Sequence, residues 1–290
     1  MMSTISHTIY VHAPRDRVEQ LWRFRETHPY RQLTVDEVEW SYISCGRGDK
    51  AILILGGGLS TGESSFRNIT RLENYFRVIS PSYPPVGQMG AVCDGLAAIL
   101  DAENITQAHV FGHSMGAAVA HAFVRLYPDH VDKLVLSGFG LYNRRSILVA
   151  RLFFTLFNLL PYSYVRNVYA GKITRLVEGT AADEKAFMTA YFHDLLDLQH
   201  NKTSLTGQFE ILADLVRNSR SYAAFKPVEK PGQVLILQAK DDRGFKPDEQ
   251  AALRATYPGA RVHLFDAGGH WAMLTRREEY ERVLDAFLGE

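Results

Sequence analysis

Short stretches in which nearly every residue is apolar, each closed by turn-forming residues, recur along the chain. They are Ala51 to Leu55, His109 to Phe111, Leu134 to Leu136 and Val234 to Leu237. A strand that is apolar on both faces belongs in a parallel sheet covered on each side by helices. The intervening segments carry the helical period. Met89, Val92, Leu96, Ile99 and Leu100 repeat at that spacing, as do Tyr280, Val283, Leu284 and Phe287. Strand alternating with helix predicts an α/β fold with right-handed crossovers. Val38 to Ser44 and the weaker Thr8 to His12 are expected to add antiparallel edge strands.

The alternation breaks after Gly140 and resumes at Val234. The stretch between is helical in pattern and rich in leucine and aromatics, which predicts a helical cap over residues 143–222, inserted after the sixth strand. The core domain is then expected over residues 1–142 and 223–290. The run Ile147 to Leu160, with Phe153, Phe154, Leu156, Phe157, Leu159 and Leu160, reads as the apolar underside of that cap, roofing the active site. Contact with a membrane surface or burial against a second subunit are its other readings. Arg151 interrupts the run, which is shorter than the ~18 residues of a membrane span.

Lysine plus arginine equals aspartate plus glutamate at 32 each, which removes the basic field of a nucleic-acid binder. Two cysteines, Cys45 and Cys93, are too few for a disulfide framework. Met1 to Tyr10 lacks the cationic start and apolar core of a signal peptide, so a cytoplasmic protein is expected.

The chemistry is concentrated in three loops. Gly112-His113-Ser114-Met115-Gly116 follows one predicted strand and opens the helix Ala117 to Leu126, as a nucleophile elbow requires. A serine on so tight a turn is pushed into strained backbone with its hydroxyl exposed. Met115 then offers its backbone N–H to an oxyanion at the helix start. A serine hydroxyl also needs a base and a group to orient that base. Arg261 to Phe265 makes the last strand, and His270 in the loop after it is the expected base. Lys240-Asp241-Asp242-Arg243 follows the strand Val234 to Leu237 and offers the acid. Asp242 is favoured, with Asp241 left open. The order Ser, Asp, His suits this architecture. The loop Gly56-Gly57-Gly58-Leu59-Ser60 should supply the second oxyanion donor, Gly58 first and Leu59 behind it. It lacks the Gly-Lys-Ser/Thr of a nucleotide loop.

Elbow, acid loop and Gly268-Gly269-His270-Trp271, in that order, resemble the α/β-hydrolase superfamily over nearly the whole chain. Within it, Arg77-Val78-Ile79-Ser80 with Tyr83-Pro84, Cys93-Asp94-Gly95 and Tyr257-Pro258-Gly259-Ala260-Arg261 are similar to maspardin-like proteins and their bacterial relatives. The resemblance implies acyl transfer to Ser114 on a small-molecule substrate, with no cofactor. Gly56 replaces the histidine that opens this loop in many relatives. A carboxylic ester with a hydrophobic part is the first expectation. The alternatives are a C–C bond hydrolase or aminopeptidase on the same residues, or a non-catalytic adaptor of the maspardin kind. Serine in the elbow argues against haloalkane dehalogenases and epoxide hydrolases, which use aspartate there.

His193, Asp197 and His200 lie at helical spacing and could hold a metal, although a solvated helix face is the commoner reading, so no metal is assigned. His113 is expected to line the pocket or pack rather than act as the base.

Overall fold

The computed structural model describes residues 8–59, 61–143, 145–146, 148–149, 152, 156, 159–177, 180–199, 201–218 and 232–289. Eight strands make one sheet: β1 (Tyr30–Val35), β2 (Val38–Cys45), β3 (Lys50–Leu55), β4 (Phe76–Pro81), β5 (Ala108–His113), β6 (Val131–Ser137), β7 (Val234–Ala239) and β8 (Arg261–Phe265). Their spatial order is β1-β2-β4-β3-β5-β6-β7-β8. β1 and β2 run antiparallel to each other, and β2 to β4; every other pair is parallel.

The apolar runs become central strands because both of their faces are covered. In β3, Ala51, Leu53 and Leu55 enter one hydrophobic cluster while Ile52 and Ile54 enter the other. β7 divides likewise, Val234 and Ile236 against Leu235 and Leu237. Burying each such side chain contributes about 1.5–3 kcal/mol relative to exposure. One face is packed by α1 (Arg15–Thr27), α2 (Phe66–Leu72) and the C-terminal α9 (Arg277–Leu288), met last along the chain. The other is packed by α3 (Met89–Ala102), α4 (Met115–Leu126) and α8 (Pro247–Thr256).

One strand expectation is corrected. Thr8 to His12 form a helical turn, not an edge strand. Tyr10 is drawn inward, its hydroxyl donating to Asp194 and its ring packing on Trp22 and Phe187. The edge belongs instead to β1, joined to β2 by Asp36-Glu37, both at positive φ (46° and 65°) as a two-residue hairpin requires. Phe76–Pro81 adds a central strand that was not separately expected.

Between β6 and β7 lie α5 (Tyr162–Leu176), α6 (Ala182–Asp194), a π-helical turn (Leu195–Gln199) and α7 (Lys202–Arg217). α6 and α7 are tied to the sheet domain by buried polar contacts. Arg25 pairs with both Glu63 and Asp194, and the Met89 N–H donates to Asp214. In the Ile147 to Leu160 run, Leu148, Val149, Leu152, Leu156 and Leu159 are exposed, which differs from a wholly buried underside. Phe153, Phe154 and Phe157 lie outside the described residues. Among the described residues, no helix is long and apolar enough to cross a membrane.

Candidate active site

The chain runs from β3 to β4 on one side, then returns to place β5 on the other side of β3. The loops leaving β3 and β5 therefore open a crevice at the carboxyl ends of the strands, where open α/β sheets bind ligands. Gly56 to Leu59 and Ser114 sit there.

Ser114 occupies φ 54°, ψ −117°, a strained conformation for a residue with a side chain. Its surroundings enforce the turn. The Ser114 N–H donates to the Ser137 carbonyl at the end of β6. A Cβ on Gly112 would lie 2.3 Å from the Gly116 carbonyl oxygen, and one on Gly116 would lie 2.0 Å from that of Leu55. Strand, elbow and helix can approach this closely only with glycine at both positions.

The strained turn delivers the Ser114 hydroxyl to His270. Oγ and Nε2 are 2.9 Å apart, and Nδ1 of the same ring lies 3.0 and 3.1 Å from the two carboxylate oxygens of Asp242. Carboxylate on Nδ1 puts the proton there and turns the Nε2 lone pair to the serine. The Asp242 and His270 side chains are nearly shut off from solvent, at 2% and 8% exposure. The Gly244 N–H donates to Asp242 at 2.6 Å.

Asp241, the neighbouring carboxylate, points elsewhere. It accepts the N–H groups of Gly268 and Gly269 at 3.0 and 2.8 Å and so pins the turn that carries His270. Burial pushes its carboxyl upward, but those two N–H groups and the Arg276 charge outweigh it and hold the group below its ordinary value.

Met115 is the first residue of α4, so its N–H has no partner within the helix. Gly58 lines the cavity with Ser114 and Met115, whereas the Leu59 N–H is already taken by the Gln208 side-chain carbonyl at 3.1 Å. That leaves Gly58 as the available donor of the two. Tyr169 from α5 closes over it: a Cβ on Gly58 would lie 2.2 Å from the Tyr169 hydroxyl oxygen.

A cavity of about 550 Å³ opens in front of these groups. Phe139, Tyr142, Phe192, Phe209 and Phe245 give it an apolar wall, and Arg145 and Lys246 lie at it, with no acidic side chain among the described lining residues. His113 and Trp271 also line it, and both bury a ring nitrogen that has no partner among the described residues, Nε2 and Nε1. Tyr280 donates to the Ser137 hydroxyl, which lies 3.2 Å from Nδ1 of His113. Burial, then the neighbouring His270, push His113 well below its ordinary value, so the ring is neutral.

Tyr169, Gln208, Arg145 and Lys246 were not singled out from the sequence, because nothing local marks a residue whose role depends on a distant loop. Asp197 engages Arg166 in a two-pronged ion pair, with both bonds 2.6 Å, and so is not turned toward His193. His200 lies outside the described residues.

Known proteins resemble this chain over most of its length. The alpha/beta hydrolase fold family matches residues 50–276. A 2-hydroxy-6-oxononadienedioate/2-hydroxy-6-oxononatrienedioate hydrolase of Escherichia coli (strain K12) is 27% identical over 269 residues, covering 84% of this chain and 88% of that protein. Its namesake in Burkholderia vietnamiensis is 27% identical over 277 residues, covering 87% and 91%. Among solved structures, a hydrolase from Pseudomonas aeruginosa PA01 superposes with a TM-score of 0.73 at 18% identity, covering 90% of this chain and 98% of that one.

Proposed function

The chain belongs to the α/β-hydrolase family, and on that premise we propose that it is a serine hydrolase that cleaves a carbon–carbon bond beside a ketone in a small anionic substrate. The sequence alone put a carboxylic ester first. The curated relatives, whose names describe 2-hydroxy-6-oxo-dienedioate hydrolases, favour the C–C alternative. The observation that carries this choice is the apolar cavity in front of Ser114 with the cationic side chains Arg145 and Lys246 at it. An ester needs an oxyanion hole and little else. Expelling a carbanion needs a second, conjugated carbonyl to take the electron pair, and that oxygen needs donors. Arg145 and Lys246 suit the carboxylates of such a substrate.

In this reading Ser114 Oγ attacks the ketone carbon while His270 Nε2 takes the hydroxyl proton. Asp242 holds the Nδ1 tautomer and stabilises the imidazolium. The N–H groups of Gly58 and Met115 receive the oxyanion. In a 2-hydroxy-6-oxo-dienedioate the 2-hydroxyl proton moves to C5 before the attack, which conjugates C5 to a 2-oxo group. Collapse then breaks the C5–C6 bond, the electron pair moves from C5 onto the 2-oxo oxygen, and His270 returns its proton to the leaving fragment. Water, activated by His270, then hydrolyses the acyl group on Ser114. Residues 143–222 act as the cap, with α5 and α7 supplying Tyr169, Phe209 and Gln208 to the site. Two free cysteines suit a cytoplasmic setting.

The test compares kcat/KM for a 2-hydroxy-6-oxo-dienedioate, followed by loss of its dienol absorbance, with that for p-nitrophenyl acyl esters. The dienedioate should be preferred by at least ~10²-fold, since a neutral ester leaves the Arg145 and Lys246 charges without a partner in the substrate. Ester turnover without dienedioate turnover would restore the ester reading. Turnover of neither would favour the adaptor reading.

A further inference from the structure

At the sheet edge remote from Ser114, the ends of α1, β2 and α2 bring together His28, Cys45 and Glu73. One ligand-competent atom from each lies within 4.8 Å of the other two. The hydrogen bonds around this trio specify where its protons are.

Nδ1 of His28 lies 3.1 Å from the Phe24 carbonyl, which can only accept, and 2.8 Å from the Thr27 hydroxyl. That hydroxyl directs its one proton to the Arg23 carbonyl at 2.8 Å, so it too accepts from the ring. Both neighbours demand a proton on Nδ1. Nε2 faces the Glu73 carboxylate at 2.8 Å. A bare lone pair against a carboxylate is repulsive, so a cation has to sit between them, either a proton or a metal. The Cys45 thiol is hydrogen-bonded to the same carboxylate and holds a second replaceable proton. Stacking on Phe24, with ring centres 4.1 Å apart and planes 13° from parallel, fixes the imidazole.

We propose that His28 Nε2, Cys45 Sγ and the Glu73 carboxylate form a binding site for a zinc-class divalent transition metal. Imidazole, thiolate and carboxylate are zinc's ligand types, and the thiolate disfavours calcium and magnesium. The metal replaces the thiol proton and the proton between His28 and Glu73. One neutral and two anionic ligands then balance its two charges. Tetrahedral bonds of ~2.0–2.3 Å place ligand atoms ~3.3–3.7 Å apart, so the His28–Glu73 contact opens by about half an ångström. The Nδ1–H bond to a backbone carbonyl is the outer contact that orients a ligating histidine. Water fills the fourth position. Cys45 pairs with Val78, early in β4, whereas Ser114 follows the far end of β5. The metal therefore ties α1, β2 and α2 together and takes no part in turnover.

The test is titration of reduced, metal-free full-length protein with Co²⁺. The expected result is one equivalent bound, with the near-ultraviolet thiolate-to-cobalt band and the visible bands of a tetrahedral ion. Cys45→Ser should lose the thiolate band, and Cys93→Ser should keep it. One equivalent of Zn²⁺ should raise Tm for wild type but not for His28→Gln, with turnover unchanged. Folded wild type without a thiolate band, or a band that survives Cys45→Ser, would overturn the site. The wild-type spectrum decides the matter even if a variant fails to fold.

Discussion

The side-chain carbonyl of Gln208 on α7 accepts the backbone N–H of Leu59 at 3.1 Å, and Leu59 sits at φ 67°. One buried glutamine thereby fixes the loop whose preceding residue, Gly58, is the proposed oxyanion donor. Gln208→Leu should leave the Leu59 N–H unpaired and let the Gly58 N–H swing. About a tenfold to hundredfold fall in kcat is expected, since misplacement by ~1 Å can cost 10²-fold. Steady-state kinetics checks this. A loss confined to KM would assign Gln208 to substrate binding instead.

The two adjacent carboxylates should separate in kinetics. Asp242→Asn removes the charge that faces His270 and favours the wrong imidazole tautomer, so kcat should fall by about 10⁴. Asp241→Asn keeps a side-chain oxygen for the N–H groups of Gly268 and Gly269 and should cost no more than about tenfold. The comparison is made with both variants at matched thermal stability.

Gly116→Ala places a methyl group where only 2.0 Å separates it from the Leu55 carbonyl oxygen. The elbow must open or the helix must shift, at a cost of about 1–3 kcal/mol. Urea unfolding of the variant should show the loss as a lower midpoint with an unchanged slope, together with weakened reactivity of Ser114.

Acid stability should depend on buried histidines. Burial lowers His121 from its ordinary 6.5 to about 3, and His109 to about 4, with desolvation the largest cause for each. Below pH 6.5 the unfolded chain protonates both while the folded chain does not. Stability is therefore whole above that pH and falls as pH drops toward the folded values. Each histidine adds a slope of about 1.4 kcal/mol per pH unit across its window. His121→Gln should flatten the dependence of unfolding free energy on pH between 4 and 6, although its absolute stability also falls because Tyr257 loses a partner of the right shape.

The central strands were legible because β3, β5, β6 and β7 are buried on both faces, and uninterrupted apolar runs follow from that. β1 was not, because Tyr30-Arg31-Gln32-Leu33-Thr34-Val35 is a half-exposed edge whose strand character comes from its pairing with β2. Thr8 to His12 carried a similar weak alternation, and the buried Asp194 and Phe187 on α6 claimed Tyr10 for a different purpose. At the site, Ser114 and His270 were marked by position within strand–turn–helix and end-of-strand contexts. Asp241 and Asp242 could not be told apart by residue type, since the distinction lies in which way each turns after β7. Gln208, Tyr169 and the His28–Cys45–Glu73 trio depend on contacts across 28 to 149 residues, which no local pattern encodes.

The most direct test of the account is the intact mass of wild type and Ser114→Ala after exposure to a fluorophosphonate. A serine held 2.9 Å from a carboxylate-oriented imidazole should form a single adduct on wild type and none on the variant. Folded wild type that stays unlabelled, or a variant that labels equally, would contradict an activated Ser114 and the hydrolytic mechanism built on it.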